Sequence, residues 1–173
     1  MIQKIVLVGY MGSGKSTTGK LLAVKLQLPF VDLDDYIEKK ENLTVAQIFS
    51  QKSEIYFRKI EGQYFSELMH SQESFVLSLG GGTPCYSNNH LLLQNKQCQS
   101  FYLQASLDTL VTRLQANRNK RPLLADLSHA ELKDFVAKQL FERSYFYMFC
   151  KHIVKTDNFT LNKIVTEIEL RVL

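Results

Sequence analysis

Short apolar runs alternate with longer amphipathic segments along the whole chain. The runs are rich in β-branched and aromatic residues, as buried parallel strands are. They occupy residues 2–8, 29–33, 74–79, 99–103 and 152–156. Strands that alternate with helices form a parallel sheet covered on both faces. The pattern therefore predicts a three-layer α/β/α fold around a five-stranded parallel sheet, in a single domain spanning residues 1–173.

Helical spacing of apolar residues is clearest at residues 54–69, and shorter helices are predicted at residues 18–26, 89–97 and 107–116. Ser128 and Glu131 have the spacing of a capping box, which predicts a helix running from there toward Cys150. Thr160 is predicted to cap the last helix. The inner face of that helix carries Leu161, Ile164, Val165 and Ile168.

The first candidate site lies between the first strand and the first helix. Residues 9–17 read Gly-Tyr-Met-Gly-Ser-Gly-Lys-Ser-Thr and contain the Gly-x4-Gly-Lys-Ser pattern of a phosphate-binding loop. Glycines let backbone N–H groups converge at a helix N-terminus, which binds anions. Lys15 would pair with the β- and γ-phosphates, and the Ser16 hydroxyl would hold Mg²⁺. The alternative, a glycine-rich turn in an ordinary α/β domain, does not require this whole pattern.

Two aspartates follow the second predicted strand, at the edge of a parallel sheet where ligands bind. Asp32 would orient Mg²⁺ through its water shell, and Asp34 would contact an acceptor hydroxyl. Helix N-capping is the alternative reason for an aspartate at this place, and Asp35 is predicted to have only that role.

Further candidates are charged or glycine-rich. Arg58 and Glu61 lie one helical turn apart, either as a surface ion pair or as a guanidinium that binds an anion while Glu61 holds it. The glycines at 80–82 follow the third strand and either expose backbone to a ligand or form a flexible turn. Arg143 is interpreted by default as a structural arginine packed on aromatic residues.

One polar segment interrupts the alternation of elements. Residues 117–126 are cationic and contain Pro122, which argues against a continuous helix. Long loops in compact domains are often active-site lids, and arginines beside a phosphate site favour that interpretation over a solvated linker. We place the lid at about residues 113–127.

Composition excludes several functional classes. The formal charge of +4 is mild, and Lys and Arg are spread along the chain, so no nucleic-acid partner is expected. The three cysteines and four histidines are dispersed, which is typical of reduced thiols in a cytoplasmic protein. The N-terminal apolar run is too short for a signal peptide, and no segment has the length of a membrane span. A monomer is expected.

Taken together, these motifs resemble those of the shikimate kinases, which are P-loop enzymes similar to the nucleoside monophosphate kinases. The resemblance covers nearly the whole chain, and its elements appear in the family's order. They are the phosphate loop, Asp32-x-Asp34, Phe57-Arg58-x-x-Glu61, the triple glycine, Arg121-Pro122-Leu123-Leu124, and Arg143 with Tyr147. The phosphate loop alone is generic, whereas this combination is specific. The chain departs from the family pattern at Tyr10, Tyr145 and Lys151.

The resemblance implies a P-loop kinase fold with sheet order 2-3-1-4-5. It also implies phosphorylation of the 3-hydroxyl of shikimate by ATP and Mg²⁺, giving 3-phosphoshikimate and ADP, in the route to chorismate and the aromatic amino acids. The implied catalytic residues are Lys15, Asp34 and Arg121. Those implied for ATP are Gly12, Ser13, Gly14, Lys15, Ser16, Thr17, Arg113 and Arg121, and those for the metal are Ser16 and Asp32. Helices at about residues 33–61 would bind shikimate, whose implied contacts are Asp34, Phe49, Phe57, Arg58, Glu61, Gly80, Gly81, Gly82 and Arg143.

Two other classes of function are compatible with parts of the pattern. A kinase of the same architecture acting on gluconate or a nucleoside monophosphate would share the phosphate loop. A nucleotide-dependent switch, or a silent binding module, could also keep that loop. Neither a switch nor a silent module has a reason to retain Asp34, Arg58 and Arg121 together, and the full motif set favours shikimate over the other acceptors.

Overall fold

The computed structural model describes residues 4–117 and 127–172. Its strands are β1 (Lys4–Val8), β2 (Phe30–Asp32), β3 (Phe75–Ser78), β4 (Cys98–Gln104) and β5 (His152–Lys155). They form one sheet in the order β2-β3-β1-β4-β5, and each neighbouring pair is parallel. The predicted fold class and strand order are thus confirmed.

Helices connect the strands and cover both faces of the sheet. They are α1 (Lys15–Leu26), α2 (Leu33–Glu41), α3 (Val45–Gln51), α4 (Glu54–His70), α5 (Asn89–Leu92), α6 (Leu107–Ala116), α7 (His129–Tyr147) and α8 (Leu161–Val172), with a 3₁₀ turn at Thr83–Cys85. Within the described ranges, none of them combines the length and apolar character that crossing a bilayer demands.

Side-chain alternation along β1 divides the core into two layers. Ile5 and Leu7 pack with residues of α1 and α8, whereas Val6 and Val8 pack with residues of α2, α3, α4, α6 and α7. Successive residues of a strand point to opposite faces, so an uninterrupted apolar strand serves both layers. This is why the apolar runs showed no alternation with polar residues.

The predicted helix caps are confirmed at two places. Ser128 and Glu131 exchange hydrogen bonds between side chain and backbone at the start of α7. Thr160 accepts a hydrogen bond from the backbone N–H of Lys163, 3.3 Å away, at the start of α8.

Two sequence-based expectations about helix ends are wrong. The helix expected at 89–97 ends at Leu92, because the next N–H groups bond three residues back and Asn95 then accepts the N–H of Gln97. Asp35 does not cap α2. The cap is Asp32, whose carboxylate accepts the N–H of Asp34 at 3.1 Å, because β2 ends there and α2 begins at once.

One buried charge fixes α4 against the sheet. Lys4 is fully buried in β1, and its Nζ donates to the carbonyls of Met69 and Ser71 at 2.6 and 2.7 Å. A cation satisfies the unpaired carbonyls at a helix C-terminus. Burial lowers the pKa of Lys4. The C-terminal end of α4, the helix that carries Arg58 and Glu61, is therefore anchored to β1.

Candidate active site

The phosphate loop connects β1 to α1 through a tight turn that depends on glycine. Gly14 caps α1 in the left-handed region, with φ of 95°, which favours glycine. A Cβ placed on Gly9 would lie 2.8 Å from the carbonyl oxygen of Leu103. The loop consequently lies close against β4, at the N-terminus of a helix where an anion is stabilised.

Lys15 and Ser16 lie at the start of α1 beside the carboxyl ends of the strands. Nζ of Lys15 donates to the carbonyls of Gly9 and Tyr10 at 2.7 and 3.0 Å. Oγ of Ser16 donates to Asp32 at 3.0 Å and lies 3.5 Å from the hydroxyl of Ser78. The structure thus places the two residues assigned to Mg²⁺ in contact with each other.

The oxygen atoms of Ser16 and Asp32 suit Mg²⁺, which prefers hard oxygen ligands and retains water. In the described part of the chain there is no group of three or more His, Cys, Asp or Glu side chains able to hold a metal. A single carboxylate and a hydroxyl fit a cation that takes its other ligands from ATP phosphates and water.

Asp34 lies at the N-terminus of α2, facing the same cleft. Burial and the negative charges of Asp32 and Glu61 raise the pKa of Asp34 to about 6, against the opposing effect of Lys15. This carboxyl group therefore changes protonation near neutral pH. Such a group can orient a hydroxyl and accept its proton.

Arg58 and Glu61 form a buried network, which excludes the surface ion pair. The side chain of Glu61 is 1% exposed, and its two oxygens bind Nη1 of Arg58 at 2.8 Å and the hydroxyl of Thr83 at 2.7 Å. Burial opposes the charge of Arg58, yet the charge and hydrogen bond of Glu61 leave the pKa of Arg58 above its ordinary value. Arg58 is a permanent, oriented cation.

Each of the three consecutive glycines adjoins a different functional side chain. A Cβ on Gly80 would lie 3.5 Å from Oδ1 of Asp34, and one on Gly81 would lie 3.5 Å from Nη1 of Arg143. A Cβ on Gly82 would lie 3.0 Å from Nη2 of Arg58. The missing side chains leave the space in which these groups converge.

Arg143 projects from α7 toward the phosphate loop. Its Cζ lies 5.5 Å from the ring centroid of Tyr10, whose hydroxyl donates to Gln139 at 2.8 Å. The hydroxyl of Tyr147 donates to the carbonyl of Gly81 at 2.5 Å. Arg143 packs on the ring of Tyr10, as expected of a structural arginine. Its guanidinium also lines the cleft.

These groups share one cleft of about 820 Å³. It brings together the predicted residues Gly12, Ser13, Gly14, Lys15, Ser16, Thr17, Asp32, Asp34, Phe49, Phe57, Arg58, Glu61, Gly80, Gly81, Gly82, Arg113 and Arg143. Nη1 of Arg113 donates to the carbonyl of Gly12 at 3.2 Å. Arg121 and residues 118–126 of the predicted lid lie outside the described residues.

A second opening, here called the outer groove, has a volume of about 900 Å³ and lies between α4 and the segment 86–92. It is similar in size to the cleft but holds none of the phosphate loop. Arg58 lines both openings. The cleft is the candidate active site because the loop, the aspartates and both arginines line it.

Several residues of the site were not anticipated from the sequence. Ser78 lies at the carboxyl end of β3 next to Ser16, a position that strand assignment could have indicated. Thr83 and Tyr86 contact Glu61 and Arg58 only because the chain after the triple glycine returns to α4. No local pattern signals such a contact.

The family model that matches this chain and the similar proteins described here belong to one family. The shikimate kinase family model matches residues 11–172. A shikimate kinase of Flavobacterium johnsoniae is 52% identical over 167 residues, which cover 96% of this chain and 97% of that protein. The crystal structure of shikimate kinase from Bacteroides thetaiotaomicron has a TM-score of 0.91 at 34% identity, with full coverage of both chains. Shikimate kinase from Acinetobacter baumannii in complex with shikimate has a TM-score of 0.85 at 29% identity, covering 99% of this chain and 93% of that one.

Proposed function

This chain belongs to the shikimate kinase family, and from that premise we propose how the residues of its cleft divide the work of phosphorylating shikimate. The activity is ATP-dependent phosphorylation of shikimate, which serves aromatic biosynthesis. We assign the 3-hydroxyl as the acceptor. The observation that carries the assignments is that the phosphate loop, one carboxyl group with a pKa of about 6 and two guanidinium groups line a single cleft.

Arg58 and Arg143 bind the carboxylate of shikimate in this proposal. A planar guanidinium matches a carboxylate with two parallel hydrogen bonds. Arg58 is supported by Glu61 on one side, so its remaining N–H groups can be directed to the substrate. Phe49 and Phe57, whose ring centroids are 4.8 Å apart, form an apolar wall for the carbocycle. Residues 33–61 and 80–82, together with Arg143 of α7, thus make up the acid pocket.

Asp34 orients the acceptor hydroxyl and takes its proton late in the transfer. Phosphoryl transfer passes through a loose transition state, so alignment and charge stabilisation supply most of the catalysis. Lys15 moves from the loop carbonyls to the transferring phosphoryl group, and Arg121, assigned from its motif alone, adds a second charge. Ser16 and Asp32 would hold Mg²⁺, which when bound neutralises charge on the β- and γ-phosphates.

We also assign residues 1–173 to one domain with a lid at about 113–127. We propose that the chain, of 20.0 kDa, is a monomer. The cysteines of the described chain are free, and burial raises the pKa of Cys85 and Cys98 to about 11 and 12. Protonated, unpaired thiols support a reducing cytoplasmic location. Light scattering of the purified protein tests the oligomeric state.

Replacing Arg58 by Ala tests the assignment of the acid pocket. We expect KM for shikimate to rise by about a hundredfold, because one charged partner of a desolvated pair is lost, while KM for ATP changes less than about twofold. Steady-state assays of ADP release with each substrate varied measure both constants. Arg171→Ala, which removes an exposed arginine of α8, is the control. Equal losses for the two substrates in Arg58→Ala would make Arg58 a structural residue.

A further inference from the structure

Tyr86 belongs to none of the motifs, yet it contacts the arginine assigned to the carboxylate. Its ring centroid lies 4.2 Å from Cζ of Arg58. The ring of Phe57 lies 5.2 Å from the same atom. Since Glu61 binds Nη1 and Oε1 of Glu54 lies 3.4 Å from Nε, the guanidinium is surrounded by two carboxylates and two aromatic rings.

Arg58 lies between two openings, so contacts on its guanidinium decide which opening it faces. The side chain lines the cleft on one side of α4 and the outer groove on the other. Its Nε has no hydrogen-bond partner within the described residues, although Oε1 of Glu54 lies 3.4 Å away. The Glu54 carboxylate near Nε is exposed, so this ion pair restrains the long side chain of Arg58 only weakly. The ring of Tyr86, which lines the outer groove, packs against the guanidinium on that side.

The chain around Tyr86 is built to hold the ring there. Ser87 and Asn88 both adopt the left-handed conformation, with φ of 52° and 55°, and form a tight turn beside α4. A Cβ on Gly62 would lie 3.1 Å from Cβ of Ser87, so the glycine in α4 permits this close approach. The buried side chain of Asn89 donates to the carbonyl of Thr83 at 2.9 Å and closes the turn.

We propose that Tyr86 is a positioning residue that holds Arg58 toward the cleft and separates it from the outer groove. The face of an aromatic ring attracts a guanidinium, and the attraction is stronger where water is excluded. A guanidinium that is already fixed loses less conformational freedom when the carboxylate binds. The effect of Tyr86 therefore falls on shikimate binding and not on phosphoryl transfer. This inference rests on the proposed role of Arg58.

Replacing Tyr86 by Leu tests the proposal, because the side chain keeps its apolar character and loses its ring. We expect KM for shikimate to rise about fivefold to tenfold, with kcat and KM for ATP within about twofold of the parent enzyme. Tyr86→Phe keeps the ring and is expected to restore the parent KM. Tyr86→Gln, a second variant without the ring, is expected to match Tyr86→Leu, and it replaces that variant should Tyr86→Leu not fold.

Shikimate methyl ester separates positioning from simple packing, since the ester lacks the negative charge that Arg58 would bind. In the proposal, Tyr86→Leu changes KM for the ester less than about twofold. Tyr64→Leu is the matched control, because that ring also lies near a cation, Lys40 at 6.0 Å, but outside the cleft. An equal loss for acid and ester, or an unchanged KM for shikimate, would overturn the role of Tyr86. An unchanged KM in Arg58→Ala would instead overturn the assignment of Arg58.

Discussion

At the scale of single residues, the raised pKa of Asp34 carries a cost in stability. Its carboxyl group is partly buried beside two other carboxylates, so the folded state disfavours its charge. The folded protein holds this proton up to about pH 6, whereas the unfolded chain releases it near pH 3.8. Between these values the folded state binds more protons, and this group makes the protein less stable as pH rises.

Asp34→Asn should therefore stabilise the protein while reducing kcat by orders of magnitude. The expected gain in the free energy of unfolding is at most about 3 kcal/mol above pH 7, from about two pKa units, and about half of that at pH 5. Urea unfolding of both proteins at several pH values measures it. Asp35→Asn, an exposed change in the first turn of α2, should give a slight loss instead. A gain that does not depend on pH would contradict the electrostatic explanation.

A site residue could be predicted from the sequence where a loop or strand end of known type determines its position. Lys15, Ser16, Asp32 and Asp34 could be proposed because loops and strand ends of a known type place them at one edge of the sheet. Tyr86 could not, since its contact with Arg58 depends on two left-handed residues and a glycine on another helix. Contacts of that kind arise from tertiary packing.

At the scale of elements, the segment 80–82 is the place where β3, α4 and α7 meet. Gly82 lies under the guanidinium of Arg58, and Gly81 accepts the hydroxyl of Tyr147 from α7. None of the three glycines has positive φ, so their small size and not their backbone freedom is what the site requires.

Gly82→Ala is expected to displace Arg58 and raise KM for shikimate about tenfold. The added Cβ would lie 3.0 to 3.2 Å from three atoms of the guanidinium, closer than ordinary contact, and the flexible end of the side chain must move. A small displacement of a positioned group is costly. Kinetics with ATP varied provide the internal control, because the phosphate loop is not touched. Unchanged KM for shikimate would mean that Arg58 relaxes without loss of function.

The strands were predicted well, because burial alone defines them. Helix ends were predicted less well, because local hydrogen bonds determine where a helix stops. The strands follow their apolar runs closely, except that Leu33 starts α2 instead of ending β2. The helix expected at 89–97 is four residues long because a side chain and a sequence of tight turns stop it. Periodicity carries no information on such stops.

At the scale of the whole molecule, the proposed ATP and shikimate sites use different parts of one sheet edge. The phosphate loop follows β1, and the acid pocket is built from chain that follows β2 and β3 together with α7. Periodicity predicted five parallel strands, but their order came from the family resemblance, since apolar runs do not specify neighbours. Tyr10 connects the two sites, because it lies in the loop and contacts Arg143.

The two sites should stabilise the fold separately. Either ligand alone at about a hundred times its Kd adds about 2.7 kcal/mol, which for a chain of this size raises Tm by about 5–10 °C. In Arg58→Ala, with affinity for shikimate about a hundredfold weaker, the same concentration of shikimate is expected to add only about 0.4 kcal/mol and to raise Tm by about 1 °C, while ATP with Mg²⁺ keeps its full effect. Differential scanning fluorimetry measures both shifts. Loss of the ATP shift in that variant would show that the sites are not independent.

The crowding around the triple glycine has a consequence for inhibition. An inhibitor that rests on this stretch of main chain would contact Gly80 and Gly82, where an added methyl group would crowd Glu61 or Arg58. Escape by mutation at these two positions is then expected to weaken the enzyme's own binding of shikimate. Compounds anchored at residues 80–82 should therefore select for resistance less readily than compounds held by the exposed rim.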